Sequence, residues 1–117
     1  MKILVIDDEN LIRKSFAHFL SSNGHIVTTA KDGSEANNLI EADMPDLIIC
    51  DLLMPNIPGI TFIQLLRNFH QHSVPVIIIS TLDKGEVIAA SLGLANIDFM
   101  AKPVLFEELL KKVNNYK

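Results

Sequence analysis

The chain has 117 residues, 49% of them hydrophobic, and a formal charge of -4: enough for one packed domain and too little for two. The acidic balance excludes a broad nucleic-acid-binding surface, because phosphate contacts need clustered Lys and Arg. The single cysteine, Cys50, excludes an intrachain disulfide and a cysteine-based zinc site, and no apolar run approaches the roughly 20 residues that span a bilayer. Lys2 leads straight into a short apolar run that stops at Asp7, which is not the pattern of a signal peptide. The expectation is one domain, 1–117, in a reducing, cytoplasmic setting.

Lys2 to Ile6 reads as a first buried strand ending at Asp7-Asp8-Glu9. A helix begins near Asn10, with Ile12, Phe16, Phe19 and Leu20 along one face, and Gly24 suits its exit. His25 to Thr29, rich in β-branched residues, reads as a second strand. Asp32-Gly33-Ser34 is a turn, with Ser34 as cap of a helix carrying Ala36, Leu39 and Ile40. Pro45 ends that helix, and Asp46 opens a third strand that runs to Asp51. After the loop Met54 to Gly59, a helix carries Phe62, Leu65, Leu66 and Phe69 on its inner face. Val74 to Ser80 is a fourth apolar strand, and Val87, Ile88 and Leu92 give a weaker helical stripe. Asp98 to Ala101 is a short fifth strand, followed by Lys102-Pro103 and a last amphipathic helix with Phe106, Leu109, Leu110 and Val113. Strands alternating with helices imply parallel pairing and right-handed crossovers, an α/β three-layer αβα sandwich around five strands.

Four strand ends carry polar groups: Asp7-Asp8, Asp51, Ser80 and Lys102. Open α/β sheets place their chemistry at the carboxyl ends of the strands. In a doubly wound sheet of order 2-1-3-4-5, strands one and three are neighbours, and the three carboxylates meet in one crevice. Unpaired, they would repel one another in a partly desolvated site. A hard divalent cation resolves this: Mg2+ takes one or two carboxylates, waters and a phosphate oxygen.

These residues resemble the receiver domain of two-component response regulators over essentially the whole chain. The matching elements are Asp7-Asp8, Asp51 followed by Met54-Pro55, Gly59, Ser80, Phe99 and Lys102-Pro103, in the right order and spacing. The resemblance implies the flavodoxin-like five-stranded order 2-1-3-4-5. It implies that Asp51 is the phosphoacceptor, taking a phosphoryl group from a phosphohistidine, as a carboxylate nucleophile can. It further implies Mg2+ held by Asp8, Asp51 and the backbone carbonyl of Leu53, with Asp7 acting through water. Lys102 would bring a cation to a phosphoryl oxygen and Ser80 a hydroxyl hydrogen bond. Ser80 and Phe99 would form the switch, and Lys102-Pro103 would be a cis peptide. The implied partners are a sensor histidine kinase or phosphotransfer protein and a downstream effector protein or domain. A homodimer through the fourth helix, fifth strand and last helix is also implied, with no direct nucleic-acid binding by this domain and no membrane.

The chain departs from the family pattern in places. Thr81 stands where Ala or Gly is usual and narrows access to the acceptor. Leu53 and Leu82 are apolar at two positions that influence phosphoryl lifetime, from which we expect slow loss of phosphate; a decay within seconds would contradict this. Pro58 precedes Gly59, and Ala95-Asn96 replaces the usual Gly-Ala pair, with Gly93 two residues early. Plainer readings compete for each residue alone: solvated turn acids for Asp7 or Asp51, a helix cap or turn for Ser80, a core ring for Phe99. Cys50 reads as inert packing, His70 and His72 as solvated loop residues, and Lys111-Lys112 as a helix end placed favourably for its dipole. The alternative function is a degenerate receiver that only binds partners, which the complete set of Asp7, Asp8, Asp51, Ser80 and Lys102 opposes. A flavin-binding protein would need a Ser/Thr/Gly-rich loop where Asp7-Asp8-Glu9 stands, and an aspartyl phosphatase an Asp-x-Asp spacing that is absent.

Overall fold

The computed structural model describes residues 1–52, 59–69, 73–81 and 96–116. Five parallel strands form one sheet: β1 (Lys2–Ile6), β2 (Ile26–Ala30), β3 (Leu47–Asp51), β4 (Val76–Ser80) and β5 (Ile97–Ala101), in the order β2-β1-β3-β4-β5. Among the described residues the helices are α1 (Asn10–Ser22), α2 (Gly33–Ala42), α3 (Gly59–Phe69) and α4 (Phe106–Asn114). This is the expected flavodoxin-like architecture. The stripe at Val87, Ile88 and Leu92 lies outside the described residues, as do Met54, Pro55, Pro58, His70, His72, Leu82, Gly93 and Ala95.

The sheet explains why the three central runs are apolar throughout. Every residue of β3 and β4 is buried, and so is β1 after Lys2. Alternate side chains serve opposite layers. Leu4, Ile6, Ile48, Cys50 and Ile78 face a core completed by Ala36 and Ile40 of α2 and Phe62, Ile63 and Leu66 of α3. Ile3, Val5, Ile49, Ile77 and Ile79 face one completed by Phe16 and Leu20 of α1 and Leu109 and Val113 of α4. Burying each such side chain contributes about 1.5–3 kcal/mol, so the two cores carry most of the stability. Phe106 joins α4 to α1, edge-on to Phe16 at 5.6 Å and stacked on Phe19 at 4.6 Å. The edge strand β2 alternates between exposed and half-buried positions before Ala30.

Several boundaries differ from the sequence expectation. His25 is not the first residue of β2: its N–H donates to the Leu20 carbonyl (3.2 Å) while Gly24 N–H donates to Ser21 (3.1 Å). This is a Schellman close of α1, and Gly24 takes the left-handed φ of 89° it requires. Asp32, not Ser34, caps α2, its carboxylate accepting the Glu35 N–H at 2.9 Å. Asp46 precedes β3, where its carboxylate accepts the Lys2 N–H at 2.8 Å. On α3 the inner residues are Phe62, Ile63 and Leu66, while Leu65 is 39% exposed; the side chain of Phe69 lies outside the described residues. Asn96 enters β5 with φ 58°, a conformation that Asn tolerates better than other residues with a side chain.

Candidate functional site

The sheet register brings the charged strand ends together. Ile6 pairs with Cys50, so Asp7 and Asp51 follow on adjacent strands at the carboxyl edge. Asp7 extends the β1–β2 ladder by one rung, its N–H donating to the Ala30 carbonyl at 3.1 Å. One carboxylate oxygen from each of Asp7, Asp8 and Asp51 lies within 4.8 Å of the others. Asp7 and Asp51 are buried (4% and 6% exposed), whereas Asp8 is exposed.

The Lys102 ammonium stands between the two buried acids. Lys102 Nζ is 3.5 Å from an oxygen of Asp7 and 3.5 Å from an oxygen of Asp51. Its placement follows from β5: Ser80 pairs with Ala101, and the Lys102 N–H donates to the Ser80 carbonyl at 2.8 Å. The following Lys102-Pro103 peptide is cis. Burial pushes the Asp7 carboxyl above its ordinary value, against the lowering effects of the Glu9 N–H and of Lys102. Burial would lower the Lys102 ammonium, but the charges and hydrogen bonds of Asp7 and Asp51 outweigh it and leave it raised. Among the described residues, three carboxylates meet around the Lys102 ammonium. Their hard oxygen donors match the preference of Mg2+.

The turn after β1 is tied down. Asp7 Oδ1 accepts the Glu9 N–H at 2.9 Å. The Arg13 guanidinium donates to the Asp7 carbonyl at 2.6 Å and to the Asn10 side chain at 3.2 Å. Arg13 is not among the residues expected from the sequence; the available signal is a cation one helical turn beyond an acidic pair. The start of α3 presses on the end of β3. The Gly59 N–H donates to the Leu52 carbonyl at 3.0 Å, and a Cβ at Gly59 would collide with the Asp51 carbonyl oxygen.

Of the other expected residues, Ser80 ends β4 and is fully buried. Phe99 lies on β5, half-buried, packed against the core shared with α2 and α3. Its N–H donates to the Asp98 carboxylate, which Lys112 of α4 grips at 2.9 and 3.0 Å. The Leu53 carbonyl lies outside the described residues. Cys50 is buried, and burial pushes its thiol far above the ordinary value, which suits inert packing.

The family model described as response regulator receiver domain matches residues 3–114. The chain belongs to this family. Among curated relatives it is 34% identical to the response regulator MprA of Mycolicibacterium vanbaalenii over 113 residues, 97% of this chain and 48% of that protein. The MprA of Mycobacterium avium is also 34% identical, with 49% of that protein covered. The receiver therefore spans about half the length of the curated relatives it matches. Among solved structures, the receiver domain of the Francisella response regulator 1452 superposes with a TM-score of 0.89 at 36% identity, covering 98% of this chain and 94% of that one. The chemotaxis protein CheY4 of Vibrio cholerae superposes at 0.89 with 30% identity, covering 99% and 98%. Receiver domains of this family are signalling domains. Among the described residues no helix is long and apolar enough to cross a membrane.

Proposed function

We propose that this receiver is a phosphoacceptor switch in which Asp51 takes a phosphoryl group from a phosphohistidine of a sensor histidine kinase or phosphotransfer protein. The observation that carries this reading is the convergence of Asp7, Asp8 and Asp51 within 4.8 Å, with Lys102 at 3.5 Å from two of them. In the step, an Asp51 carboxylate oxygen forms a bond to phosphorus as the phosphorus–nitrogen bond breaks, and the leaving imidazole keeps the electron pair and takes a proton. Asp8, Asp51 and the Leu53 carbonyl would hold Mg2+, with Asp7 acting through water. Bound there, the ion offsets the charge of acceptor and phosphoryl oxygens. Lys102 then moves from its two carboxylate partners to a phosphoryl oxygen. Catalysis of this kind is mainly positioning and charge neutralisation.

The added phosphoryl group brings about -1.5 to -2 charges and three acceptor oxygens. In this reading Ser80, which ends β4, is drawn toward the phosphoryl group, and Phe99 on β5 follows. The output is a changed surface around β5 and α4, read by an effector protein or domain or by a second copy of the chain. A groove of about 520 Å3 opens beside the site, lined by Leu11, Ile12, Phe16, Thr81, Lys102 and Val104. It supports approach of the phosphohistidine partner from the α1 side. A cytoplasmic location accords with this reading.

The test is incubation with acetyl phosphate and MgCl2, read by intact mass. The switch reading expects one phosphoryl adduct, lost in Asp51→Asn and in EDTA. A wild-type chain that takes no phosphoryl group would establish the degenerate, partner-binding receiver instead.

A further inference from the structure

We propose that Arg13 is a positioning residue for the acidic site: its forked contact with the Asp7 carbonyl and the Asn10 side chain sets the peptide plane that aims Asp7 and Asp8. This rests on the reading that the cluster binds Mg2+. The peptide joining Asp7 to Asp8 lies just beyond the last residue of β1, where the strand's own ladder ends. The Asp7 N–H, in the preceding peptide, donates to the Ala30 carbonyl at 3.1 Å. The carbonyl of the Asp7–Asp8 peptide accepts from Arg13 Nη1 at 2.6 Å. Arg13 Nη2 reaches the Asn10 amide oxygen at 3.2 Å, in the first turn of α1. Its own N–H donates to the Glu9 carbonyl at 3.0 Å. The residue thus clamps both sides of the turn that carries Asp8.

Asp8 needs such help more than its neighbours do. Asp7 is buried and its carboxylate is engaged by Glu9 N–H and Lys102. Asp51 ends a strand paired on both sides. Asp8 is exposed and follows the strand, so its direction depends on the peptide before it. A planar guanidinium can hold two acceptors in fixed geometry, whereas a lysine ammonium is a point charge on a flexible stem. Charge alone would act the other way: a cation beside the cluster repels Mg2+. Positioning and electrostatics therefore predict opposite signs when Arg13 is removed.

The experiment titrates MgCl2 into wild-type, Arg13→Ala, Arg13→Lys and Asn10→Ala proteins and follows amide resonances, with thermal unfolding in EDTA measured alongside. Residues that orient metal ligands typically change affinity by about 10–100-fold when lost. Acting through one peptide plane, Arg13→Ala should weaken binding roughly tenfold, at the low end of that range. Arg13→Lys should recover only part of the loss, Asn10→Ala should lose less, and the Asp8 amide resonance should already move without metal in both Arg13 variants. Wild-type affinity in Arg13→Lys, or equal or tighter binding in Arg13→Ala, would overturn the proposal. Should Arg13→Ala fail to fold, the Arg13→Lys and Asn10→Ala affinities decide by the same criteria. A wild-type protein that binds no Mg2+ would overturn the metal reading itself and this inference with it.

Discussion

The two ends of the sheet handle charge in opposite ways. At the amino end, Lys2 meets Asp43 at 3.0 Å in an exposed pair, and the Lys2 N–H finds Asp46 at 2.8 Å. The Met1 ammonium lies 3.2 Å from His25 Nδ1. Each of these groups has a local partner, so the end is settled. At the carboxyl end, among the described residues, Asp7, Asp8 and Asp51 crowd together around the Lys102 ammonium, and two of the acids are buried. The same strands end in a balanced structure on one side and in stored repulsion on the other. Such conflict is characteristic of sites kept for binding rather than for stability.

The largest expected effect comes from removing the cation at the crowded end. Lys102→Met removes an ammonium that lies 3.5 Å from each of two buried carboxylates and should cost about 2–3 kcal/mol of metal-free stability, somewhat below the range for breaking a fully buried pair. Urea unfolding measures it. Mg2+ should restore much of the deficit, because a ligand that binds only the folded state stabilises it. Gly59→Ala comes next: the new Cβ meets the Asp51 carbonyl and the Leu52 backbone, and a loss of about 1–2 kcal/mol is expected from a backbone clash in a packed region. Gly24→Ala meets nothing within 4 Å and suffers only from its φ of 89°, so thermal unfolding should show a loss of about 1 kcal/mol.

The next effect is pH-dependent. Burial raises the Asp7 carboxyl above the ordinary 3.8. Between that value and the raised one the folded state binds more proton than the unfolded state, so the contribution of Asp7 to stability falls as pH rises and recovers as pH drops. A carbon-detected titration of the Asp7 carboxyl in the metal-free protein should show a midpoint above 3.8. Asp7→Asn should raise stability at neutral pH, with the gain shrinking in acid. The raised Lys102 ammonium acts in the other range: its contribution is complete below its ordinary value and is lost as pH climbs through the raised one. The smallest effect belongs to the settled end, where Lys2→Met removes an exposed pair and should cost less than about 1 kcal/mol.

The contrast between the ends also explains what could be read from the sequence. β1, β3 and β4 were legible because strands buried on both faces leave unbroken apolar runs. The acidic site was legible because its residues sit at the ends of those runs. The inner face of α3 was misjudged because Phe62, Ile63, Leu65 and Leu66 offer more than one helical stripe, and only packing selects Ile63 over Leu65. Ser34 and Asp32 are both good caps by chemistry, and the chain's entry into α2 selects Asp32. Arg13 stands in the sequence as a cation one turn beyond the acidic pair, but its partner is a main-chain carbonyl, which residue types alone do not disclose.

The most direct test is the unfolding free energy of the wild-type and Asp51→Asn proteins, each with and without MgCl2. Metal-free Asp51→Asn should be the more stable of the two, by about 1 kcal/mol, because a buried like charge is gone. Mg2+ should stabilise the wild type far more than the variant. A wild-type chain indifferent to Mg2+, together with a metal-free variant no more stable than wild type, would contradict the claim that the carboxyl end stores repulsion for a cation to relieve.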